Sequence, residues 1–235
     1  MADLFAPLTA FEIEALVLSL RVGAVATIAT LPVAAGLALV LARGTFPGRW
    51  ALEALVNLPL VLPPVVTGLG LLLLFGARGP VGHWLSETFG ISLSFSWTGA
   101  ALAAAVMALP LMVRPIRQAI EGIDRGVEQA AATLGAPPHW VLATVTLPLA
   151  LPGLIAGGLL GFARAFGEFG ATVTFVGAIP GETRTLPVAI YAVLQRVDGE
   201  TTALRLALLS VIACVAALLA TEWVNRRLLR RSAVL

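Results

Sequence analysis

Five long apolar segments limit what this sequence can fold into. They cover residues 15–42, 51–75, 97–116, 146–176 and 204–224. A helix needs about 20 mainly apolar residues to cross a bilayer, and each segment is long enough. The chain is 59% hydrophobic and 12% charged, whereas soluble domains are about 25% charged. We therefore predict an all-α polytopic membrane protein with five transmembrane helices, forming one domain over residues 1–235 with its core at about 15–226.

The arginines predict the orientation of these helices. They cluster after the first segment, after the third and at the C-terminus, at Arg43, Arg49, Arg114, Arg117, Arg125, Arg226, Arg227, Arg230 and Arg231. Short loops rich in arginine remain in the cytoplasm. The N-terminus is therefore predicted outside and the C-terminus in the cytoplasm, with a cytoplasmic loop at 124–146 and external loops at 77–96 and 177–202.

The chain contains no lysine, since all fifteen of its basic residues are arginine. A P-loop needs a lysine to reach the nucleotide phosphates, so this type of nucleotide site is excluded, and Schiff-base chemistry is excluded as well. The net charge is only +2 and the arginines border the apolar segments, which does not favour a nucleic-acid partner. If the protein uses ATP, another subunit binds it.

The stretch 124–146 has the pattern of two short helices separated by a glycine stop. Asp124 is a suitable N-cap, and Glu128 follows near the positive end of the helix dipole. The run 130–132 is all alanine, and Gly135 fits the left-handed position that ends a helix. We interpret this stretch as a knob that a partner protein contacts. The alternative, a helix lying on the bilayer, lacks the bulky apolar stripe that it needs.

Two features of the apolar segments leave alternatives open. The pair Pro63-Pro64 predicts a break that is either ordinary proline tolerance in a packed bundle or a bend in a helix that lines a gate. Gly153, Gly157 and Gly161 form a small-residue face that we expect to pack on another helix, in the same subunit or in a second copy.

Arg164 and Glu168 are interpreted as the only charges deep within an apolar segment. A spacing of four places them on one face of a helix, where they neutralise each other. Each charge alone would cost about 2.5–3.5 kcal/mol at the bilayer centre on insertion scales. The pair is either a structural contact between helices or part of a pathway that offers Arg164 to an anion.

Several motifs resemble those of a known transporter family. Glu128–Gly135, with Leu147-Pro148, resembles the EAA loop of bacterial ABC importer permeases. A narrower resemblance, to the permeases of molybdate ABC transporters, is carried by residues 58–68, 95–100, 109–114, 162–172 and 175–187. It covers nearly the whole chain. The departures are Phe166, where leucine is expected, and the proline-rich Pro137-Pro138.

This resemblance implies a multi-pass protein of the bacterial inner membrane with the type I ABC importer permease fold. It implies a homodimer that joins two copies of an ATPase subunit and a periplasmic molybdate-binding protein, which places the external loops in the periplasm. The cargo would be molybdate, with tungstate as a close mimic. ATP–Mg would be bound by the ATPase, and no cofactor, metal site or catalytic residue is expected on this chain, which is not an enzyme.

The resemblance also implies roles for particular residues. Contact with the ATPase would fall to Glu128, Ala130, Ala131, Leu134, Gly135 and Pro148. The gate and pathway would include Leu62, Pro63, Pro64, Thr67, Arg164 and Glu168. The binding protein would dock at Gly181, Glu182, Thr183 and Arg184.

Two other functions are weighed against this one. A sulfate permease would share the fold, because sulfate is also a tetrahedral dianion; the loop 181–187 favours molybdate. An intramembrane enzyme is the more distant alternative. The only histidines, His83 and His139, fall in loops on opposite faces, and hydrolase or zinc-protease motifs are absent from the sequence. A scaffold or a channel without an ATPase would leave the 128–135 loop unexplained.

Overall fold

The computed structural model describes residues 7–232, with side chains up to residue 217 and at 219. The arginines at 226–231, used above for orientation, lie outside the described side chains. All regular structure in the described part is helical. In chain order the helices are α1 (Ala10–Arg43), α2 (Arg49–Val61), α3 (Pro64–Phe75), α4 (Pro80–Phe89), α5 (Trp97–Glu121), α6 (Arg125–Thr133), α7 (Pro138–Val141), a π-turn (Leu142–Thr146), α8 (Leu147–Leu149), α9 (Leu151–Phe166), α10 (Gly170–Val176), α11 (Leu186–Leu194) and α12 (Glu200–Ser232).

The core is formed by α1, α5 and α9, which pack against one another along most of their lengths. Close approach depends on small residues. A Cβ added at Gly157 would lie 2.8 Å from the carbonyl oxygen of Met112, and one at Gly153 would lie 2.7 Å from that of Pro115. The predicted glycine face of α9 is therefore confirmed, and its partner is α5 of the same subunit.

Within the residues that the structure describes, three helices are long and apolar enough to cross a bilayer: α1, α5 and the Glu200–Ala217 part of α12. Two further candidates are bent pairs. The first, α2 with α3, bends by 113°, and the second, Pro138–Leu149 with α9, bends by 67°. All five predicted segments are thus helical, and two of them are bent rather than straight, one at the predicted Pro63-Pro64 break.

The break between α2 and α3 follows from the two prolines. Leu62 and Pro63 both have extended backbones, with ψ of 141° and 134°, and α3 starts at Pro64. A residue that precedes proline is disfavoured in the helical region, and here two consecutive residues precede one. The fourth segment is also broken. It ends as α9 at Phe166 and resumes at Gly170 as α10.

The predicted external loops are not simple loops. Residues 77–96 contain α4, and residues 177–202 contain α11. Leu186, Val188, Ala189 and Val193 of α11 are buried. The nine residues of α11 extend about 13.5 Å, which is too short to cross a bilayer. Since the backbone N–H of Leu186 donates to Ser19 Oγ at 2.6 Å, α11 is fastened to α1.

The two ends of α1 define the two ends of the bundle. At the Glu12 end, where α1 begins, it meets the start of α12 through Arg205. At the Arg43 end, where α1 finishes, Arg43 donates to the carbonyl oxygen of Ile123 at 3.3 Å. α5 runs parallel to α1. Trp97, at the start of α5, lies 3.7 Å from the Arg21 guanidinium in the first half of α1, and Ile123, just after α5, contacts Arg43 at the end of α1. α6 and the π-turn therefore lie at the Arg43 end.

Candidate coupling and gate sites

The 124–136 stretch forms the capped helix that the sequence predicts. The Asp124 carboxylate accepts from the backbone N–H of Gly126 at 2.8 Å. At the other end of α6, the N–H of Ala136 bonds to the carbonyl of Ala131, and the N–H of Gly135 bonds to that of Ala132. Gly135 has a φ of +89°, so this is the two-bond motif in which a left-handed glycine ends a helix. Both the N-cap and the glycine stop are confirmed.

The surface of this stretch is open and carries apolar side chains. No residue of α6 is buried. Leu134 is 89% exposed, and Val127 and Trp140 are also exposed. Of the other predicted coupling residues, Ala130, Gly135 and Pro148 are exposed, and Ala131 is half-buried. Three large exposed apolar side chains on a short helical hairpin are typical of a surface that another protein covers.

Glu128 differs from the other predicted coupling residues because its carboxylate is engaged within the subunit. Its Oε2 lies 3.2 Å from a terminal nitrogen of Arg43, and its Oε1 accepts from Thr146 Oγ1 at 2.7 Å. We call this trio the Glu128 clasp. The sequence pattern points to Glu128 but to neither of its partners.

The predicted gate residues come from segments that are distant in the chain. The structure brings the break between α2 and α3 close to the break between α9 and α10. A Cβ on Gly170 would lie 2.7 Å from Pro64 Cβ, and one on Gly68 would lie 2.6 Å from the carbonyl oxygen of Ala171. α3 and α10 thus pack with almost no side chain between them. Near this contact Leu62 and Thr67 are half-buried, whereas Pro63 and Pro64 are exposed.

Arg164 and Glu168 form the predicted ion pair, but not on one helix face. Glu168 lies beyond the end of α9, and its Oε1 accepts from the backbone N–H of Ala171 at 2.8 Å. Its side chain is 2% exposed, against 25% for Arg164. Glu168 therefore neutralises an arginine and also satisfies a free N–H at the start of α10. This second contact supports the interpretation of the pair as a structural contact.

The predicted docking loop is partly internal. Gly181, with a φ of +78°, and Glu182 are exposed. Thr183 has no exposed surface, because its hydroxyl accepts from the N–H of Ile179 at 2.8 Å and donates to the carbonyl of Gly177 at 3.2 Å. In this conformation the buried Thr183 side chain closes the turn, and its role in docking stays a prediction.

Arg184 is half-buried at the edge of the same loop. It donates to the carbonyl of Ala178 at 3.2 Å, and its guanidinium lies 5.8 Å from the ring centroid of Phe11. The surface left for docking in this loop therefore centres on Gly181 and Glu182.

The Glu12–Arg205 contact was missed by the sequence analysis. Arg205 Nε donates to Glu12 Oε1 at 2.7 Å, and a terminal nitrogen donates to Oε2 at 3.0 Å and to the carbonyl of Pro7 at 2.9 Å. The Thr9 backbone N–H donates to Oε2 at 2.8 Å, as part of a capping box. The Thr9-x-x-Glu12 spacing was a readable signal for this cap.

Arg164 and Glu168 are interpreted as the only charges deep within an apolar segment, and two further charges lie nearer the ends of these segments. Arg205 lies in the segment 204–224, paired with Glu12, and Arg21 lies in the segment 15–42, stacked on Trp97. Among the described residues, no group of three or more His, Cys, Asp or Glu side chains is arranged to hold a metal ion.

Comparisons with known proteins agree with this architecture. Residues 31–230 match the family model of the binding-protein-dependent transport system inner membrane component. The chain is 52% identical over 219 residues to the molybdenum transport system permease protein ModB of Escherichia coli K12, covering 93% of this chain and 96% of that one. Its identity to ModB of Haemophilus influenzae is 48% over 220 residues, covering 94% and 96% of the two chains.

A more distant relative and a solved structure extend the comparison. The sulfate transport system permease protein CysT of Escherichia coli K12 is 40% identical over 162 residues, which are 69% of this chain and 58% of CysT. A bacterial ABC transporter that imports the acidic polysaccharide alginate superposes with a TM-score of 0.72 at 17% identity, covering 97% of this chain and 82% of that one. At this identity the similarity shows the fold alone.

Proposed function

Because the chain belongs to the family of binding-protein-dependent transport system inner membrane components, we propose that it is the permease subunit of an ATP-driven molybdate importer. The observation that carries this proposal is the high identity to molybdenum permeases over almost the full length of both chains. The permease itself is not an enzyme. We propose that its whole length forms one permease domain, that a separate ATPase binds ATP–Mg, and that tungstate is accepted as a close mimic.

We propose that the protein crosses the bacterial inner membrane five times, with each bent pair counted as one span. In this arrangement the Glu12 end faces the periplasm and the Arg43 end faces the cytoplasm. The exposed apolar hairpin α6–α7 then lies on the cytoplasmic side, together with Arg43, Arg49, Arg114, Arg117 and Arg125, as the positive-inside rule favours. A periplasmic binding protein would deliver the anion near Gly181 and Glu182.

The pathway would lie between two copies of the chain, beside the paired breaks of α2–α3 and α9–α10. Non-helical backbone at membrane depth is tolerated where it is buried in protein or lines a water-filled cavity. Pro63 and Pro64 are exposed in the single subunit, so a second copy or water can meet them. Arg164 would face the anion with its charge largely compensated by Glu168, which keeps binding weak enough for release.

Energy would enter through the hairpin α6–α7. Leu134, Val127 and Trp140 would seat in a groove of the ATPase, and closure of that groove would displace α6. Gly135→Asp adds a charged side chain at a left-handed position, and Ala131→Arg adds bulk to the docking helix. Both variants should lose ATP-driven uptake while the protein still inserts, and normal uptake in both would contradict this role for the hairpin.

The direct test is reconstitution of the chain with its ATPase and binding protein in liposomes, followed by measurement of ATP-dependent uptake of molybdate and of sulfate at equal concentrations. Molybdate uptake without sulfate uptake is expected. Preferential sulfate uptake would favour the second candidate, a sulfate permease, to which CysT is the relevant relative. Absence of uptake of both anions would reject an oxyanion importer.

A further inference from the structure

Helix α6 has little apolar packing to fix its position. None of its residues is buried, and an open groove of about 700 Å³ lies between α6, α7 and the end of α1. Burial of apolar surface is the main force that holds one helix against another in a packed bundle. For α6 that force is weak, so other contacts must set its position relative to α1.

One carboxylate supplies those contacts. Glu128 on α6 meets Arg43 at the last residue of α1 and Thr146 at the end of the π-turn, at 3.2 Å and 2.7 Å. Arg43 also donates to the carbonyl of Ile123, just after α5. Two elements that are separate in the chain, the end of α1 and the π-turn, thus meet at Glu128, and Arg43 links this contact to the residue that follows α5.

The two partners of Glu128 are differently held. Thr146 is buried, and it lies in the π-turn that leads through Pro148 into α9. A π-turn is an irregular helix turn that occurs often at functional sites. Arg43 is 20% exposed, so it stays in contact with water. The clasp therefore connects α6 firmly to the start of α9 and more loosely to the end of α1.

We propose that Arg43 and Thr146 are positioning residues that, through Glu128, carry the displacement of α6 into α1 and α9. This inference rests on the proposed function, in which an ATPase moves α6. Without the clasp, α6 would follow the ATPase while the membrane helices would not follow α6. ATP would then be hydrolysed with less transport.

A purely structural role would give a different result. Partly exposed ion pairs contribute about 0–1 kcal/mol to stability, so loss of the clasp should leave the fold intact. The quantity that should change is the number of ATP molecules hydrolysed for each molybdate imported. A change in that ratio with an unchanged thermal midpoint separates coupling from stability.

The experiment uses the complete transporter in liposomes, with wild-type chain, Glu128→Gln, Arg43→Gln, Thr146→Val and the charge exchange Arg43→Glu with Glu128→Arg. We expect the ratio of ATP to molybdate to rise about fivefold or more in the three single variants, as for a coupling free energy of 1 kcal/mol or more. The charge exchange should restore part of the coupling, because it re-forms an ion pair.

Arg117→Gln is the matched control. Arg117 lies at the same end of the bundle and pairs with Glu53 and Glu121, each at 2.7 Å, on α2 and α5. It removes an arginine from the Arg43 end without touching the clasp, and it should keep the wild-type ratio. A similar rise in Arg117→Gln would show that any charge loss at this end uncouples, which would overturn the proposal.

A second measurement does not depend on the cargo. Spin labels at Phe46→Cys, just after α1, and at Gln129→Cys, exposed on α6, in a Cys214→Ser background, report the distance between the end of α1 and α6. One narrow distribution is expected with Glu128 and a broad one with Glu128→Gln. Equal widths, an unchanged ATP ratio or loss of folded protein in the single variants would overturn the clasp. If the wild-type transporter imports no molybdate, the proposed function is wrong. The spin-label distances would then still test whether the clasp holds α6 against α1.

Discussion

The two ends of α1 are both tied by a glutamate and an arginine, and the two contacts are built differently. At the Glu12 end, Arg205 makes two hydrogen bonds to a carboxylate that is 1% exposed. At the Arg43 end, the side chains of Arg43 and Glu128 are 20% and 19% exposed, and their nearest atoms are 3.2 Å apart. The same pair of residue types thus forms a buried contact at one end and a half-buried contact, which water still reaches, at the other.

Burial decides what each contact does. When one member of a buried ion pair is removed, the other charge is left without a partner and without water. Any state in which the pair is open therefore has a high free energy. A solvated pair opens at small cost because water replaces the lost partner. α1 is therefore fixed to α12 and α11 at the Glu12 end, and it can shift relative to α6 at the Arg43 end.

The largest expected effect comes from opening the buried fastening. Arg205→Ala would strand Glu12 in the interior, and loss of one partner of a buried pair costs about 3–5 kcal/mol. We expect a strongly lowered thermal midpoint in detergent and poor recovery of folded protein. Fluorescence-detected size-exclusion chromatography after heating measures both.

The double variant Glu12→Gln with Arg205→Met tests the reason for that effect. It removes both charges and keeps side chains of similar volume, so it should be more stable than Arg205→Ala alone. If the double variant is as unstable as the single one, the unpaired charge of Glu12 is not the cause of the instability. The contrast between the two ends of α1 would then have no basis.

The next largest effect on stability is expected at the Arg164–Glu168 pair, beside the break between α9 and α10. Arg164→Ala leaves the Glu168 charge within the membrane, at a cost of about 2.5–3.5 kcal/mol on insertion scales. Arg164→Ala with Glu168→Gln removes the charge and should recover much of the lost stability. Thermal unfolding of the two variants decides this, and equal instability would contradict mutual neutralisation.

The sequence predicts features that depend on neighbouring residues. Asp124 and Gly135 mark the ends of α6 because capping is a property of a few adjacent positions. α1, α5 and α12 follow from unbroken apolar runs. The break at Pro63-Pro64 was also predicted in kind, since proline acts on its own backbone and on the residue before it.

The features that the sequence did not predict depend on distant contacts. Arg205 and Glu12 are 193 residues apart, and no local pattern joins them. Thr146 reaches Glu128 only because the π-turn places it there. α11 was overlooked because nine residues are fewer than a membrane span needs, and it is stable only where α1 supports it. The break after Phe166 carries no proline and arises where glycines flank Glu168 and Phe169.

A smaller effect is expected midway along α1 and α5, where α9 packs on backbone. Gly157→Ala would press a Cβ against the Met112 carbonyl and the Ile116 side chain, at 2.8 Å and 2.9 Å. Overpacking of this kind costs about 1–3 kcal/mol. Gly158→Ala is the control, because its nearest neighbour, Leu31, would be 4.0 Å away. Alanine is a better helix former than glycine, so helix propensity alone would raise both thermal midpoints. Midpoints that change equally in the two variants would show that close packing does not govern this face.

The smallest effect on stability is expected at the Arg43 end, and it is the sharpest test of the comparison. Glu128→Gln keeps a hydrogen-bond acceptor for Thr146 and removes the charge that faces Arg43, so the free energy of unfolding should fall by no more than about 1 kcal/mol. Raising the salt concentration should lower the stability of the wild type slightly more than that of Glu128→Gln, because only the wild type has the Arg43–Glu128 pair for salt to screen. The thermal midpoint of Glu12→Gln should fall much further, since Arg205 then lacks its buried partner. If Glu128→Gln proved as damaging as Glu12→Gln, both ends of α1 would be fixed, and displacement of α6 would have to reach the membrane helices by rotation of the whole bundle.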